Sequence, residues 1–213
     1  MLSLSEIIFP SRCIGCSRLG ISICSHCRKD WHPHFYQRSI NSDGEIIPVI
    51  SAIQYSPLAS KILLSAKEAQ IKSADLLIIS ALMHSLKIFV NKFGSGTLVY
   101  IPSRKSATRK RGRNFLAEIT SHLAAELGLS VATPLSHLRK VKDQSQLNSS
   151  QRAENLYRAF SADSSAGNIG EKIIVIDDLI TTGATLQEAF RALRDAGFTV
   201  LGAVTSCTAK PLR

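Results

Sequence analysis

No uncharged apolar run in this chain of 213 residues is long enough to span a membrane as a helix. The longest uncharged apolar stretch, Leu76 to Leu86, falls well short of the roughly 20 residues a span requires, so no membrane insertion is expected. A secretory signal is also missing, because Glu6, Pro10 and Arg12 interrupt any apolar core near the N-terminus. There is no internal repeat and no low-complexity tract, which sets solenoid arrays aside. Acids are scarce: 16 Asp and Glu stand against 26 Lys and Arg, giving a formal net charge of +10 and a pI near 9.6. That excess points to an anionic partner, either a phosphorylated substrate, nucleic acid, or both. The remaining composition, 45% hydrophobic and 20% charged, is that of an ordinary globular protein. A cytoplasmic location with reduced thiols is expected.

Four of the five cysteines sit as Cys13-Ile-Gly-Cys16 and Cys24-Ser-His-Cys27, two C-x₂-C pairs seven residues apart. Each pair forms a knuckle that points two sulfurs at one metal, and two knuckles complete a tetrahedral Cys₄ zinc site. Gly15 relieves crowding in the first knuckle. With four sulfur ligands no position is left for water or substrate, so the expected Zn²⁺ is structural. Disulfides do not suit a chain without an export signal. His26, His32 and His34 lie nearby and read as surface residues. Cys207 stands alone and reads as a packed thiol.

The densest signal is Lys172-Ile-Ile-Val-Ile-Asp177-Asp178-Leu-Ile-Thr181-Thr182-Gly183-Ala184-Thr185-Leu186. Its continuous apolar run, Ile173 to Ile176, predicts a strand covered on both faces in a parallel sheet. Leu186, Ala189, Phe190, Leu193 and Ala196 follow helical spacing, with Gly197 as the stop. Between them, a Thr- and Gly-rich turn exposes the N–H groups of a helix start, where the dipole favours an anion. The hydroxyls of Thr181, Thr182 and Thr185 add donors, and Gly183 permits close approach of the backbone. Asp177 and Asp178 would repel a phosphate. They suit two vicinal ribose hydroxyls, or a Mg²⁺ held through water. A plain helix-capping turn is the alternative reading of this stretch.

Elsewhere, residues 1–36 read as the zinc module and 45–213 as the main domain, with 45–95 as its hood or N-terminal extension. The polar stretch Gln37 to Glu45 reads as a linker. Ile46 to Tyr55 predicts a strand or hairpin with Pro48 near an edge. Helical spacing covers Leu58 to Ala66, Ser73 to about Lys92, and Phe115 to Leu127. Strands are expected at Leu98 to Ile101, Ser130 to Thr133 and Thr199 to Val204. Strands alternating with helices predict an α/β fold with a parallel sheet.

The loop from Asp177 to Thr185 resembles the phosphoribosyl diphosphate (PRPP) loop of the type I phosphoribosyltransferases. Three further pieces are similar to one family, the ComF/GntX phosphoribosyltransferase-like proteins. These are the double C-x₂-C module; Ile101-Pro102-Ser103-Arg104-Lys105 through Arg111-Gly112-Arg113-Asn114; and Gln144-Ser-Gln146-Leu147 with Arg152-Ala-Glu-Asn155-Leu156-Tyr-Arg-Ala159-Phe160. The resemblance implies a type I phosphoribosyltransferase fold, mostly parallel with helices on both faces, preceded by a zinc ribbon. It implies a site for PRPP with Mg²⁺, Asp177 and Asp178 on the ribose hydroxyls, and Thr181, Thr182, Gly183, Ala184 and Thr185 on the 5′-phosphate. Ser103, Arg104 and Lys105 would grip pyrophosphate, with Arg104 and Lys105 catalytic because charge builds on the leaving group. The family name implies competence, the import of single-stranded DNA, alongside a helicase partner.

Two departures limit the resemblance. Arg113 stands where the family usually has Phe. Some purine phosphoribosyltransferases carry a carboxylate inside the loop that assists proton transfer, and Thr181 occupies that position here. The segment Arg104 to Arg113 holds six basic residues in ten, and three readings stand for it. It is a pyrophosphate grip, a solvated loop, or, through Arg109, Lys110, Arg111 and Arg113, a single-stranded DNA contact. A second basic stretch, with Arg139, Lys140, Lys142, Arg152 and Arg158, fits either a mobile active-site loop or more of that nucleic-acid surface. The acceptor base is not legible.

Overall fold

The computed structural model describes residues 11–42, 44–138 and 158–209. Its chain order is α1 (Ser25–Asp30), β1 (Tyr36–Ser42), β2 (Glu45–Gln54), α2 (Pro57–Lys67), α3 (Lys72–Phe93), β3 (Thr97–Tyr100), α4 (Lys105–Arg111) and α5 (Phe115–Leu127). There follow β4 (Val131–Ala132), β5 (Leu135–His137), β6 (Phe160–Ala162), β7 (Lys172–Ile180), α6 (Ala184–Asp195) and β8 (Thr199–Thr208). The sequence marks several boundaries chemically. The Ser56 side chain accepts from Ala59 N at the start of α2, with Pro57 in its first turn. Asn114 does the same for α5 toward Ala117 N, and Gly128 ends that helix in the left-handed conformation.

The main sheet has the order β1-β2-β8-β7-β3-β4. All pairs are parallel except β1 with β2. Crossovers from β2 to β3 and from β3 to β4 run toward one edge, while the crossover from β7 to β8 runs toward the other. Right-handed connections therefore put α3 and α5 on one face and α6 on the opposite face. The α3 helix crosses β2 and β8, burying Leu77, Ile78, Ala81, Leu82, Leu86 and Phe89. Each of the Leu, Ile and Phe side chains contributes on the order of 1.5–3 kcal/mol of burial. By length and composition α3 is also apolar enough to cross a membrane, as no other helix is among the described residues.

The stretch expected to be a linker, Gln37 to Glu45, is instead the edge strand β1 and the turn after it. In β1 only Ile40 and Ser42 are buried, so no run of apolar alternation announces the strand. Pro48 does not mark an edge. It lies within β2 just before the parallel ladder with β8 begins at Val49, a place where its missing N–H interrupts nothing on that side. The last strand is longer than expected, reaching Thr208. Residues 139–157, with Arg139, Lys140, Lys142, Arg152 and most of the Gln144–Phe160 motif, lie outside the described residues.

Candidate functional site: a crevice at the carboxyl edge of the sheet

Strand β7 outlasts its neighbour β3. Their ladder ends at Tyr100 opposite Ile176, with Ile101 N donating to Ile176 O at 3.0 Å, whereas β7 continues beside β8 to Ile180. Connections leave β3 and β7 in opposite directions, which makes this the switch point where open parallel sheets take ligands. Asp177 and Asp178 fall at that step. The segment 102–104 leads from β3 to α4 on one side, and 181–183 leads from β7 to α6 on the other.

Both carboxylates are buried, at 8% and 7% exposure. Asp177 Oδ1 accepts from Asp178 N at 2.8 Å, and Ser206 Oγ donates to Asp178 O at 2.6 Å. The last residue of α2, Lys67, reaches across and places Nζ 2.7 Å from Asp178 Oδ2. Burial, and then the adjacent Asp178, push the Asp177 carboxyl well above the usual range. Burial would also raise Asp178, but the Lys67 ammonium outweighs it and holds that carboxyl below its ordinary value. Lys67 is in turn stabilised as a cation: burial lowers it, and Asp178 more than compensates. The two adjacent carboxyls are thus pushed in opposite directions, with a cation supplied by the protein.

The 181–183 turn joins β7 to α6. Gly183 precedes α6 at φ +91 with no side-chain cap, and a Cβ there would come within 3.2 Å of the Ile40 side chain. Thr182 Oγ1 accepts from Ala184 N at 3.4 Å. From the edge strand, Arg38 Nη1 donates to Thr181 O at 2.6 Å and to Ala209 O at 3.4 Å. Gln187 Nε2 donates to Asn41 O, and Arg194 donates to Ser42 O while pairing with Glu45. The anion-sized turn is therefore braced by β1. On the other side, His137 Nε2 donates to Pro102 O at 2.9 Å, and burial lowers this imidazole's pKa. Its ring packs on Phe160, whose backbone is held by Glu188 and Arg191 of α6.

Ser103 and Arg104 are half-buried ahead of α4, and Lys105 is its first residue. The basic residues of α4 and just beyond it divide. Arg111 pairs with Glu68 at 2.5 Å and accepts from Gln70 Nε2 through its carbonyl. Arg113 pairs with Asp75 at 2.8 Å and Glu118 at 3.1 Å and lies over the Phe115 ring. Arg109 and Lys110 are exposed. Arg113 thus fills the position of the expected aromatic by packing on one and bridging α3 to α5.

At the other end of α2 stand the cysteines. The sulfurs of Cys13, Cys16, Cys24 and Cys27 all lie within 4.8 Å of one another. A tetrahedral zinc with Zn–S bonds of about 2.3 Å holds sulfurs about 3.8 Å apart, so this donor set and spread fit the ion. Cys24 N donates to Cys13 Sγ at 3.3 Å, as metal-bound thiolates accept from knuckle amides. A Cβ on Gly15 would sit 2.6 Å from Cys27 Sγ and 2.7 Å from Leu58 Cδ1, so glycine is required for the knuckle both to close and to dock on α2. Lys61 Nζ completes that docking, donating to Gly15 O at 2.7 Å. His26, His32 and His34 are exposed and outside the cluster. Cys207 is buried, its thiol pushed up to about 12 by burial.

Residues 108–212, just under half of the chain, match the model of the phosphoribosyl transferase domain. The chain is phosphoribosyltransferase-like. Solved structures of such enzymes align with it at low identity. An adenine phosphoribosyltransferase from Saccharomyces cerevisiae is 14% identical, over 87% of this chain and 89% of its own, with a TM-score of 0.46. An orotate phosphoribosyltransferase from Aeropyrum pernix is 14% identical over 84% and 77%, at 0.40. An adenine phosphoribosyltransferase from Rhodothermus marinus is 19% identical over 79% and 80%, also at 0.40. No curated protein matches. The match begins at residue 108 and so leaves out β3 and the 102–104 segment. Within this phosphoribosyltransferase-like fold, sequence reasoning missed Lys67, Arg38 and His137. Lys67 closes a helix whose stripe spoke only of packing, and Arg38 lies in the supposed linker. A basic residue at the end of a helix preceding the acid pair was the one available signal.

Proposed function

We propose that this protein binds PRPP in the crevice and transfers the phosphoribosyl group to a nitrogenous base, as a member of the ComF/GntX type. The observation that carries this reading is the position of the buried acid pair, near the end of β7 and just ahead of the turn into α6, at the switch point of the sheet. Asp177 and Asp178 hold the ribose hydroxyls. Thr181 to Thr185 and the first N–H groups of α6 take the 5′-phosphate, kept in place by Arg38. Ser103, Arg104 and Lys105 take the pyrophosphate. As the C1–O bond breaks, its electron pair leaves with pyrophosphate, and these cations stabilise that charge more in the transition state than before it. The base nitrogen forms the new bond at C1 and loses its proton. Thr181 offers no carboxylate for that proton, which favours acceptors that release it without help. Mg²⁺, which would accompany the diphosphate and be met by the Asp177–Asp178 edge, supplies charge neutralisation. Zn²⁺ on Cys13, Cys16, Cys24 and Cys27 is structural. Thiolate ligands suit a reducing compartment such as the cytoplasm.

Calorimetry with PRPP and Mg²⁺ tests the assignment. Wild-type protein is expected to bind, and the double substitution Asp177→Asn, Asp178→Asn to abolish binding. Unchanged affinity in the double variant would make the crevice the wrong place. A second reading, single-stranded DNA binding beside a helicase, is favoured by the exposed Arg109 and Lys110. It predicts salt-dependent binding of single strands that weakens when both become Ala.

A further inference from the structure

The 102–104 segment leaves the sheet where its ladder stops. Ile101 N makes the last bond to β7, Pro102 has no N–H, and α4 begins only at Lys105. A side chain from another element reaches this segment: His137, the last residue of β5, places Nε2 2.9 Å from Pro102 O. A carbonyl only accepts, so Nε2 carries a proton. Burial lowers the pKa of the ring, the bond to Pro102 opposes that shift, and nearby Arg104 adds to it. In the neutral ring thus favoured, Nδ1 is a bare acceptor, buried and without a partner among the described residues. An apolar ring of the same shape would avoid that cost, so packing alone does not account for histidine here.

The ring is itself held from α6. His137 lies opposite Phe160 in the β5–β6 pair, and their rings pack with centroids 4.9 Å apart. Phe160 N donates to Glu188 Oε1 at 3.1 Å, and Arg191 Nη2 donates to Phe160 O at 3.0 Å. Glu188 and Arg191 are joined to each other at 2.7 Å. One helix therefore sets both sides of the crevice. Its start follows Gly183 of the 181–183 turn, and its middle fixes the Pro102 carbonyl through Phe160 and His137. In a trans peptide the carbonyl of residue 102 and the N–H of residue 103 point in opposite directions. With the carbonyl drawn toward His137, Ser103 N–H is turned away from the hairpin. We propose that His137 is a positioning residue for the crevice. It sets the 102–103 peptide so that Ser103 N–H and Arg104 meet the diphosphate end of PRPP at a fixed span from the 181–185 turn. This inference rests on the crevice being the phosphoribosyl site, and it names the residue that fixes the distance between the two anion-holding ends.

The test titrates PRPP with Mg²⁺, and separately ribose 5-phosphate, into wild type, His137→Phe and His137→Gln. Phenylalanine keeps a ring on Phe160 and removes the donor; it should weaken PRPP roughly tenfold, the scale of one hydrogen bond. Ribose 5-phosphate, which does not reach the 102–104 segment, should bind within about twofold of wild type. Glutamine can offer an Nε2–H at similar reach and should restore PRPP binding to within about threefold. Because carbon replaces an orphan acceptor, His137→Phe should melt no lower than wild type. A merely structural histidine would lower the melting point and weaken both ligands together, and that result overturns the proposal. So does unchanged PRPP affinity in His137→Phe, or failure of glutamine to rescue it. Nitrogen NMR of the wild-type imidazole needs no variant. The Nε2–H tautomer is expected with and without PRPP, and an Nδ1–H tautomer overturns the proposal even if His137→Phe does not fold. Failure of wild type to bind PRPP would instead overturn the site itself.

Discussion

Two places in this molecule crowd acidic groups, and each end of α2 touches one of them. At the start of the helix, beside Leu58 and Lys61, four sulfurs converge within 4.8 Å. At its end, Lys67 meets two adjacent buried carboxylates. The sulfurs form a set suited to a divalent ion from outside the chain. Of the two carboxylates, Asp178 is met from within by an ammonium. A structural site has every ligand committed to one ion for the life of the fold. A carboxylate met by one tethered ammonium, by contrast, keeps further acceptor positions of its own.

The largest expected effect tests the first half of that contrast. Cys27→Ser should lose the metal, about one zinc per chain in wild type, and unfold the knuckle, because zinc binding in such modules is worth on the order of 10 kcal/mol. Trp31, the chain's single tryptophan and buried beside the cysteines, reports the loss as a red shift in emission. A metal-free variant with native emission would show that the cluster does not need its ion. Next in size, Gly15→Ala should cost about 1–3 kcal/mol in denaturant unfolding, since the added methyl meets both Cys27 and Leu58. No loss would mean that the module is not packed on α2 as described.

The acid pair responds to pH with two opposite signs. The folded-state pKa of Asp177 is raised, so its contribution is fully present below the unfolded value and is lost as pH rises through the folded one. That of Asp178 is depressed, so its contribution holds above the unfolded value and is lost as pH falls through the folded one. Asp177→Asn keeps an acceptor for Asp178 N and removes the titration. It should melt higher than wild type near neutral pH, with the advantage gone by about pH 4. A constant offset across that range would mean Asp177 is ionised in the folded protein. The smallest effect belongs to Glu68→Gln. Its pair with Arg111 is 41% exposed on the Glu68 side, so the change should stay within about 1 kcal/mol.

What could be read in the sequence was what a short window contains. The β7–turn–α6 unit showed itself because a buried-strand run gives way to helical spacing within fifteen residues, and the cysteines because knuckle spacing is local. Lys67 and Asp178 are far apart along the chain, and 143 positions separate Arg38 from the turn it braces. No local pattern encodes such meetings. β1 was illegible for a different reason: as an edge strand with a polar outer face, it carries the composition of a linker. The division of the basic segment was hidden as well, since the acids that occupy Arg111 and Arg113 come mostly from further up the chain, at Glu68 and Asp75.

The step between β7 and β3 has a consequence for how this protein can be cut. The stretch that matches the phosphoribosyl transferase domain starts at residue 108, and a fragment expressed from there would keep β7 and β8 but lack β2 and β3, the strands on their outer sides. Two central, apolar strands would become edges, open to pairing with other chains. The α2 lysine, the β1 arginine and the 102–104 segment would be gone as well. The evolutionary module and the folding unit are therefore different lengths of the same chain. Experiments on the crevice need both halves.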